Sequence, residues 1–513
     1  MNEIETGETG AASGGTGRGG PERPPENPPV RSLVRLSGEI TIKSRRTRAR
    51  FQKRLVRNLQ EAFDSDDVEA TTEDTWSRFY VSAPDERVFG PLSRVFGVSS
   101  FSPLLAECEA ELDRIVSVGT ELYGERVKGR RFAVRARRHG SHDFNSADVM
   151  RDLGTALNPG ATVDLGHPDV VARVEVRGER AFFYGERRPG QGGLPLGVQG
   201  KALALISGGF DSAVAAWMIL RRGVALDYLF CNLGGAAYKR MVVEVTKLLA
   251  DRWSYGTYPR LHVVDFTDVV EEMRQHAKPA YLQVVLKRMM YRAGSEIARR
   301  TGAQALVTGE SVGQVSSQTL KNLRAIDDAA DYPVFRPLLG FHKEEIVDRT
   351  REIGTYQLCA RVREYCSVVP HKPVTASSPE DARLQEEAVG REALDKALGK
   401  TEVLNLRTMD LQDIVGANLF VSAIGEDVEI IDTRGPTAFQ AWHWPDATRR
   451  DLVDLERGFR ALDKQRTYVL VCAEGIRTAF LAEQMQEAGY EAYSFMGGEP
   501  ALRRYADSRE PAI

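Results

Sequence analysis

The fold of the middle of this chain is decided by the stretch ALALISGGFDS, residues 202–212, and by the apolar run AVAAWMIL that follows it at residues 213–220. The first five residues predict a buried strand, and the second run predicts a helix. A Gly-rich turn between a strand and a helix N-terminus gathers backbone N–H groups and the positive end of the helix dipole at one point. The sequence therefore predicts a cradle for an anion such as a phosphate.

The residues of the turn have distinct expected roles. Gly208 and Gly209 let the backbone approach a phosphate closely, and the hydroxyls of Ser207 and Ser212 add donors. Asp211 repels a bare phosphate, so its expected partner is Mg²⁺ or a proton. The turn is not a Walker A loop, because the G-x-x-x-x-G-K-[ST] spacing is absent. It resembles the S-G-G-x-D-S loop (PP-loop) of enzymes that activate a carbonyl or amide oxygen with AMP; an ordinary strand-to-helix turn is the alternative.

Further strands follow the turn in a regular rhythm, near residues 225–231, 261–266, 305–309 and 333–338, with helices between them. This alternation predicts a doubly wound parallel sheet in a domain of residues 191–375. The small and polar run Thr308–Thr319 then lies at the carboxyl edge of the sheet, where ligands bind. Arg336 and Lys343 are cations that can offset the charge of a triphosphate, although Lys343 is equally well explained as a surface cation.

A cysteine loop marks the C-terminal part of the chain. Cys472 follows an apolar strand, residues 468–471, and begins the loop CAEGIRT that leads into a helix. Backbone N–H groups at a helix N-terminus stabilise a thiolate or a persulfide anion, although an inert buried thiol is the alternative. The pattern C-x-x-G-x-R-T, with Gly475, Arg477 and Thr478, resembles the active loop of rhodanese-type sulfurtransferases. A tyrosine-phosphatase loop does not match, because its arginine stands one residue later than Arg477.

The N-terminal part of the chain is basic. Residues 31–60 hold ten Lys and Arg against one acidic residue, a local charge of +9, and residues 126–138 hold seven Lys and Arg and no acid. Alternation from Phe132 predicts a half-buried strand with Arg135 and Arg137 on its polar face. Such clusters bind a phosphate backbone or form solvated faces, and charge alone does not decide between the two.

Length and composition indicate how the chain is divided. A chain of 513 residues exceeds one hydrophobic core, so three or four domains are expected. Residues 1–30 are rich in Gly, Pro and Glu and predict a disordered tail. Two small α+β units follow, with a helix predicted over residues 108–123 and a strand over residues 172–184. Residues 376–401 predict a linker with an exposed helix.

Other classes of protein are disfavoured by what the sequence lacks. It has no apolar run of the ~20 residues that a membrane helix needs and no apolar signal region, so a cytoplasmic protein with no membrane partner is expected. Its five cysteines, Cys108, Cys231, Cys359, Cys366 and Cys472, include no Cys-x-x-Cys pair, and no metal-binding cluster is predicted. Structural disulfides are not expected in a reducing compartment, so a cysteine that matters is expected to be reactive.

Together, the motifs resemble those of the tRNA 4-thiouridine synthetases, the tRNA sulfurtransferases of the ThiI family. The resemblance spans roughly residues 31–513 and rests on Ser207–Ser212, Gly309–Thr319, Arg336–Leu338, Glu364–Cys366, the Cys472 loop, Gly38–Ser44 and Phe132–Arg138. It implies a multidomain α/β and α+β fold. The implied domains are a ferredoxin-like domain at 31–95, a THUMP domain at 96–190, a PP-loop ATP pyrophosphatase domain at 191–375 and a rhodanese-like α/β domain at 402–513.

The resemblance also implies binding partners. The THUMP region grips tRNA, and the implied tRNA-binding residues are Lys43, Arg45, Arg135 and Arg137. The implied cofactors are ATP and Mg²⁺. The implied ATP contacts are Ser207, Gly208, Gly209, Asp211, Ser212, Arg288, Gly309, Gln318, Arg336 and Lys343. A homodimer is common in the family.

The implied reaction is the formation of 4-thiouridine at tRNA position 8, with Cys472, Cys366 and Asp211 as catalytic residues. ATP adenylates the 4-oxygen of the uridine, and a cysteine desulfurase loads Cys472 with a persulfide. Cys366 then attacks the sulfur chain, so that sulfide is released and a Cys366–Cys472 disulfide remains. The family also feeds sulfur to the thiazole of thiamin.

The chain departs from the family at three positions: Phe210 and Ala213 replace an aliphatic residue and a proline, and Tyr365 stands where some relatives have cysteine. None of the changes in the turn removes a chemical group. Three alternatives stay open. An AMP-forming ligase or amidotransferase-type synthetase for a small molecule shares the turn but gives no role to the Cys472 loop. A non-catalytic tRNA-binding protein has no need of an intact turn, and an iron–sulfur enzyme needs three neighbouring cysteines.

Overall fold

The structure, a computed structural model, describes residues 30–74, 79–233, 235–362, 372–411, 419–425, 427–473, 475 and 477–508. The predicted tail, apart from Val30, lies outside the described residues, and so does Cys366. The described strands form three sheets.

The first sheet belongs to the basic N-terminal part. Its strands are β1 (Val30–Leu36), β2 (Thr71–Asp74), β3 (Phe79–Ala83), β4 (Val98–Glu109), β5 (Arg131–His139), β6 (Thr162–Val163), β7 (Val170–Arg177), β8 (Arg180–Tyr184) and β9 (Arg188–Pro189). They run in the order β2-β3-β1-β4-β8-β7-β5-β6, and β9 pairs with β4. The helices are α1 (Gly38–Thr41), α2 (Arg45–Ser65), α3 (Phe89–Arg94), α4 (Leu112–Val127) and α5 (Ser146–Leu157).

Residue patterns explain these elements. Leu55 and Leu59 lie four residues apart on α2 and are buried in the core, so the basic side chains of this helix are left on its other faces. In β5, Val134 is buried whereas Arg135 and Arg137 are exposed, and the predicted alternation is confirmed.

The structure corrects two expectations in this region. The helix expected over residues 108–123 begins only at Leu112, because residues 108 and 109 still belong to β4. The strand expected over residues 172–184 is a hairpin of β7 and β8. Strand β4 pairs with β1 along its first half and with β8 along its second half, so the two small units share one continuous sheet.

The second sheet forms the middle domain. Its strands are β10 (Lys201–Leu205), β11 (Ala225–Asn232), β12 (Arg260–Asp265), β13 (Leu306–Val307), β14 (Val334–Phe335) and β15 (Glu402–Asn405). Its helices are α6 (Phe210–Arg221), α7 (Gly235–Trp253), α8 (Thr267–His276), α9 (Leu282–Thr301), α10 (Leu320–Asp327), α11 (Lys343–Ile353), α12 (Tyr356–Arg361), α13 (Pro379–Val389) and α14 (Glu392–Gly399).

The predicted doubly wound parallel sheet is confirmed. The strand order is β14-β13-β10-β11-β12-β15, with all neighbours parallel except β15. Apolar clusters fill both faces of the sheet. The chain passes from β10 to β11 and β12 on one side, and it then returns from β12 to β13 on the other side of β10. The strand order therefore reverses at β10, and ligands bind at such a switch point in this kind of sheet.

The sequence predicted that residues 376–401 form a linker. In the structure they do not, because α13 and α14 pack on the middle domain. Glu386 of α13 is ion-paired with the buried Arg288 (2.6 Å), and Leu394 of α14 is buried in the core. Strand β15 then extends the same sheet. Ser378 caps α13 by accepting a hydrogen bond from the backbone N–H of Asp381 (3.0 Å).

The third sheet forms the last domain. Its strands are β16 (Phe420–Val421), β17 (Val428–Asp432), β18 (Thr448–Arg449), β19 (Thr467–Val471) and β20 (Glu491–Phe495), in the order β16-β20-β19-β17-β18. Its helices are α15 (Pro436–Ala441), α16 (Leu452–Gly458), α17 (Arg477–Glu487) and α18 (Gly498–Asp507). All neighbouring strands are parallel, and apolar clusters cover both faces.

The N-terminal part and the last domain both contact the middle domain. Arg54 of α2 donates to the carbonyl of Leu196 (2.8 Å), and Arg222, just after α6, is ion-paired with Glu39 (2.7 Å). On the other side, Ala237 of α7 is buried in the apolar cluster of the last domain. Among the described helices, none is both long and apolar enough to cross a membrane.

Candidate active site

The Gly-rich turn lies between the carboxyl end of β10 and the N-terminus of α6. Gly208 has a φ of +77°, a conformation that favours glycine. Ser212 Oγ accepts a hydrogen bond from the backbone N–H of Ser207 (3.3 Å) and donates one to the carbonyl of Gly209 (3.2 Å). No side chain among the described residues caps α6, so its first N–H groups remain available to an anion.

Asp211 and Lys343 form an ion pair beside this turn. Lys343 Nζ lies 2.8 and 3.0 Å from the two carboxylate oxygens of Asp211, and Gln314 Nε2 donates to the same carboxylate (2.9 Å). Lys343 is the first residue of α11 and stands 132 residues after Asp211. The ion pair holds Lys343 beside the turn, and the Lys343 side chain is otherwise 45% exposed.

A cavity of about 230 Å³ opens next to the turn. Its polar lining includes Ser207, Asp211, Ser212, Gln283, Lys287, Thr308, Glu310, Ser317 and Gln318. Gly309 allows the loop after β13 to touch the turn, because a Cβ there would lie 2.5 Å from the carbonyl carbon of Asp211. Apolar side chains of β10, β11 and α9 line much of the remainder, together with Leu233 and Tyr238. A mostly apolar pocket with a few convergent polar groups is typical of a site for a nucleotide or another small molecule.

Glu310 is the buried carboxylate of this cavity. Its Oε2 accepts hydrogen bonds from Tyr291 Oη (2.6 Å), Arg336 Nε (2.8 Å) and Thr308 Oγ1 (3.0 Å). Its Oε1 faces Lys287 Nζ at 3.7 Å and has no hydrogen-bond donor among the described residues. Burial favours a raised pKa, but Lys287 and Arg336 outweigh burial and hold the pKa of Glu310 below its ordinary value. Glu310 is therefore an ionised acceptor with one open oxygen.

Two more of the predicted ATP contacts, Gln318 and Arg336, differ in their position relative to the cavity: Gln318 lines it and Arg336 does not. Gln318 lines the cavity, and its Oε1 is buried without a donor among the described residues. Arg336 is buried behind Glu310 and is also ion-paired with Asp327. The structure therefore gives Arg336 the role of holding Glu310, and its guanidinium does not line the cavity.

Arg288 is the predicted ATP contact that the structure contradicts. It is fully buried against α10 and α13, where its guanidinium donates to Glu386 (2.6 Å), Asp328 (3.3 Å) and the carbonyl of Ala325. The cation that lines the cavity is the preceding residue, Lys287, because successive helix residues point about 100° apart. The dipeptide Lys-Arg in the sequence gives no sign of which cation faces a ligand.

Cys472 is buried at the base of the loop that leads into α17. Its Sγ accepts a hydrogen bond from the Thr478 hydroxyl (3.3 Å), which lies 2.7 Å from the Ser494 hydroxyl. Ser494 in turn donates to the carbonyl of Gly475 (2.6 Å). Gly475 has a φ of +74°, and a Cβ there would lie 2.5 Å from the Phe495 carbonyl oxygen. The predicted residues Gly475 and Thr478 thus shape the loop around the sulfur atom.

A cavity of about 800 Å³ lies over Cys472, between the last domain and the middle domain. The last domain contributes Arg477, and the middle domain contributes Ala360 and Arg361 of α12. Neither Arg361 nor Arg477 is ion-paired with any residue that the structure describes. Both guanidinium groups are therefore available to an anion near the sulfur atom. Cys366, the predicted partner of Cys472, comes five residues after Arg361 in the sequence and lies outside the described residues.

The other described cysteines are buried thiols. Cys359 has no exposed surface, and burial raises the pKa of its thiol from about 9 to about 11. Burial also raises the pKa of Cys108 and of Cys231. A thiol of this kind is a poor nucleophile at neutral pH. Within the described parts of the chain, no group of three or more His, Cys, Asp or Glu side chains is placed to hold a metal ion.

The predicted tRNA-binding residues lie in the N-terminal sheet and its helices. Arg135 and Arg137 project from the exposed face of β5, and Lys43 and Arg45 are exposed at the start of α2. None of the four lines either cavity.

Four protein families match successive parts of the chain. The ThiI ferredoxin-like domain matches residues 31–102, and the THUMP domain matches residues 109–186. The family described as thiamine biosynthesis protein (ThiI) matches residues 197–390, and the rhodanese-like domain matches residues 418–502. These matches and the three sheets confirm the predicted fold class, with ferredoxin-like, THUMP, PP-loop and rhodanese-like parts.

Similar proteins include two curated tRNA sulfurtransferases. The one from Pyrobaculum aerophilum is 39% identical over 474 residues, which cover 90% of this chain and 96% of the relative. The one from Thermoplasma acidophilum is 36% identical over 462 residues, which cover 90% and 94%. A solved structure, described as a 4-thiouridine synthetase–RNA complex with bound ATP, matches with a TM-score of 0.64 and 30% identity. That match covers 74% of this chain and 99% of the solved chain.

Proposed function

Because the chain belongs to the tRNA sulfurtransferase (ThiI) family, we propose that it forms 4-thiouridine at tRNA position 8 with ATP and a persulfide on Cys472. The observation that carries this proposal is the cavity over Cys472, which Ala360 and Arg361 of the middle domain complete. The sulfur-bearing loop therefore adjoins the domain that holds the Gly-rich turn. The solved 4-thiouridine synthetase, with its RNA and ATP, supports the same two ligands for this chain.

The first proposed step activates the uridine. Its 4-oxygen attacks the α-phosphorus of ATP, pyrophosphate leaves, and the proton on N3 of the base is lost. Backbone N–H groups of Ser207–Ser212 and the ammonium groups of Lys287 and Lys343 offset charge on the phosphates. Asp211 is the carboxylate at the turn, and it fits Mg²⁺ because this ion takes one or two protein carboxylates together with phosphate oxygens. Bound Mg²⁺ would supply charge neutralisation for the pyrophosphate leaving group.

The second proposed step delivers sulfur. The thiolate of Cys366 attacks Sγ of the persulfide-bearing Cys472, the persulfide S–S bond breaks, and hydrosulfide leaves. The two cysteines are oxidised to a disulfide while the transferred sulfur is reduced to sulfide. Hydrosulfide then attacks C4 of the adenylated uridine, and AMP departs with the former 4-oxygen. The loop N–H groups and Arg477 stabilise the persulfide anion before the attack.

The proposed partners follow from this chemistry. We propose that the phosphate backbone of the tRNA is bound by Lys43, Arg45, Arg135 and Arg137. Binding of this kind weakens as the salt concentration rises. A cysteine desulfurase is proposed to load Cys472, in the cytoplasm, where unmodified tRNA and ATP are present. A homodimer is the proposed assembly.

The experiment that tests the function is single-turnover sulfur transfer to unmodified tRNA, with ATP and a persulfide-loading desulfurase. Product is measured by the near-ultraviolet absorbance of 4-thiouridine. We expect Cys472→Ser and Asp211→Asn to abolish product, and Cys366→Ser to block turnover after the persulfide has formed. Cys108→Ser, which changes a buried cysteine in the N-terminal sheet, is the matched control and should stay active. A fully active Cys472→Ser would refute the persulfide route.

A second use of the same sulfur is favoured by the description of the matching family as a thiamine biosynthesis protein. We infer that the Cys472 persulfide can also supply the thiazole sulfur of thiamin, which requires no adenylated RNA. In a thiamin-requiring host that lacks its own sulfurtransferase, wild type and Asp211→Asn should restore growth, whereas Cys472→Ser should not. Growth with Cys472→Ser would exclude this second use.

A further inference from the structure

Helix α17 runs from the sulfur loop to the middle domain. It begins at Arg477, directly after the Cys472 loop, and Phe480 and Gln484 along it line the cavity over the sulfur atom. Glu483 of the same helix reaches α7 in the middle domain. One rigid helix thus carries contacts to both the sulfur site and the neighbouring domain.

Glu483 caps a helix that belongs to the other domain. Its carboxylate accepts hydrogen bonds from the backbone N–H groups of Ala236 (2.6 Å) and Ala237 (3.4 Å), in the first turn of α7. These N–H groups have no partner within their own helix, and an anion is favoured at this end by the helix dipole. Gly235 leaves room for the contact, because a Cβ there would lie 2.4 Å from Glu483 Oε1. Glu483 and Gly235 are therefore in close contact that a larger residue at position 235 would not allow.

The capped end of α7 borders the nucleotide cavity. Leu233, just before the helix, and Tyr238, in its first turn, both line this cavity. Tyr238 Oη also donates to the carbonyl of Ser207 in the Gly-rich turn (3.0 Å). The contact made by Glu483 therefore fastens the sulfur-carrying domain to the rim of the cavity where the nucleotide is expected.

We propose that Glu483 is a positioning residue for sulfur transfer: it holds the Cys472 domain against the nucleotide cavity of its own chain. The sulfide released at Cys472 then has a short route to the adenylated uridine. This inference rests on the proposed function and deepens it. The reaction has three events: adenylation, persulfide loading and sulfur delivery. Adenylation and loading do not require the Cys472 domain to be docked on the middle domain, whereas sulfur delivery does.

The test replaces Glu483 by Gln and by Lys, and the matched controls are Glu487→Gln and Glu487→Lys. Glu487 is exposed one turn further along the same helix. Adenylation is measured by tRNA-dependent ATP–pyrophosphate exchange, loading by mass spectrometry of Cys472, and delivery by single-turnover 4-thiouridine formation. Adenylation and loading should stay within about twofold of wild type, whereas delivery should fall by about tenfold in Glu483→Lys and by less in Glu483→Gln.

A sulfide rescue distinguishes positioning from damage to the nucleotide site. Free sulfide needs no docked domain, so an excess of sodium sulfide should restore 4-thiouridine formation by Glu483→Lys to the wild-type level. Delivery by Glu483→Lys equal to that of Glu487→Lys, or a loss that sulfide does not rescue, would overturn the inference. If Glu483→Lys loses both adenylation and persulfide loading, it has not folded. The same criteria are then applied to Glu483→Gln. Absence of product from wild type would instead refute the proposed function itself.

Discussion

Lys287 and Arg288 are neighbours in α9, and their surroundings give them opposite roles. Lys287 lines the nucleotide cavity and faces Glu310, whereas Arg288 is buried between Glu386 and Asp328. A buried arginine with two carboxylate partners holds elements together, and its loss leaves Glu386 with Arg292 alone and Asp328 with Arg383 alone. We therefore expect Lys287 to matter for activity and Arg288 to matter for stability.

This contrast predicts different consequences for the same substitution. Lys287→Met should lower ATP–pyrophosphate exchange by at least about tenfold with little change in thermal stability, because it removes a cation at the cavity. Arg288→Met should lower the free energy of unfolding by about 1–3 kcal/mol, because Glu386 loses one of its two guanidinium partners and keeps only Arg292. Exchange assays and denaturant unfolding of both variants check the prediction. It would be contradicted if Arg288→Met folded normally and lost exchange.

Cys359 provides a prediction about pH. Burial raises the pKa of its thiol from about 9, the value expected in the unfolded chain, to about 11. Between these values the folded protein keeps a proton that the unfolded chain has lost, so stability falls as the pH rises through this window. Wild type should lose about 2–3 kcal/mol more free energy of unfolding than Cys359→Ala over the window. Urea unfolding at both ends measures the difference, and parallel losses would contradict the assignment.

The sequence predicts some site residues better than others, for a physical reason. Ser207, Asp211 and Cys472 lie in short segments whose strand–loop–helix context is visible locally. Glu310 lies in a run that the sequence marks as ligand-facing, yet its role depends on Lys287 and on residues of other elements, which only the folded chain brings together. The sequence signals only that two cations, Lys287 and Arg288, stand together among apolar residues of α9, and it does not show which of them faces the cavity.

The loop after β13 and the start of α6 touch through a glycine. A Cβ at Gly309 would lie 2.5 Å from the carbonyl carbon of Asp211 and 2.6 Å from the backbone nitrogen of Ser212. Gly309→Ala should therefore push the loop away from the turn and reduce ATP–pyrophosphate exchange by about a hundredfold, since small misplacements in a reacting site are costly. Gly340→Ala is the control, because its Cβ would meet open space. Equal exchange by both variants would show that the loops need not touch.

Strand β4 and helices α13 and α14 show where element prediction fails. The β4 sequence contains Pro103, which disfavours a central strand because proline cannot donate to a ladder. In the structure, pairing with β1 ends at Pro103 and pairing with β8 begins at Leu104, so the proline stands where the partner changes. Helices α13 and α14 bury little of their surface, and their composition alone resembles that of a linker.

The last domain is docked on the middle domain of the same chain. We can therefore predict the activity of a mixture of two inactive variants. Cys472→Ser retains the nucleotide cavity, and Asp211→Asn retains the sulfur loop. If each sulfur loop serves its own chain, a mixture of the two variants should make no more 4-thiouridine than either alone. Wild type mixed with Cys472→Ser controls for inhibition. Recovery of a large part of the wild-type rate would show transfer between chains.

The continuous N-terminal sheet has a consequence for how a substrate is chosen. Strand β4 has twelve residues and spans ~40 Å, and it joins the two small units without a hinge. Arg54 and Glu39 fasten the first of these units to the middle domain. The basic surface of β5 and the nucleotide cavity are therefore kept a constant distance apart. Under the proposed function, such a frame would select the nucleotide to be modified by its distance from the RNA bound at β5, and the bases in between need not be read at all.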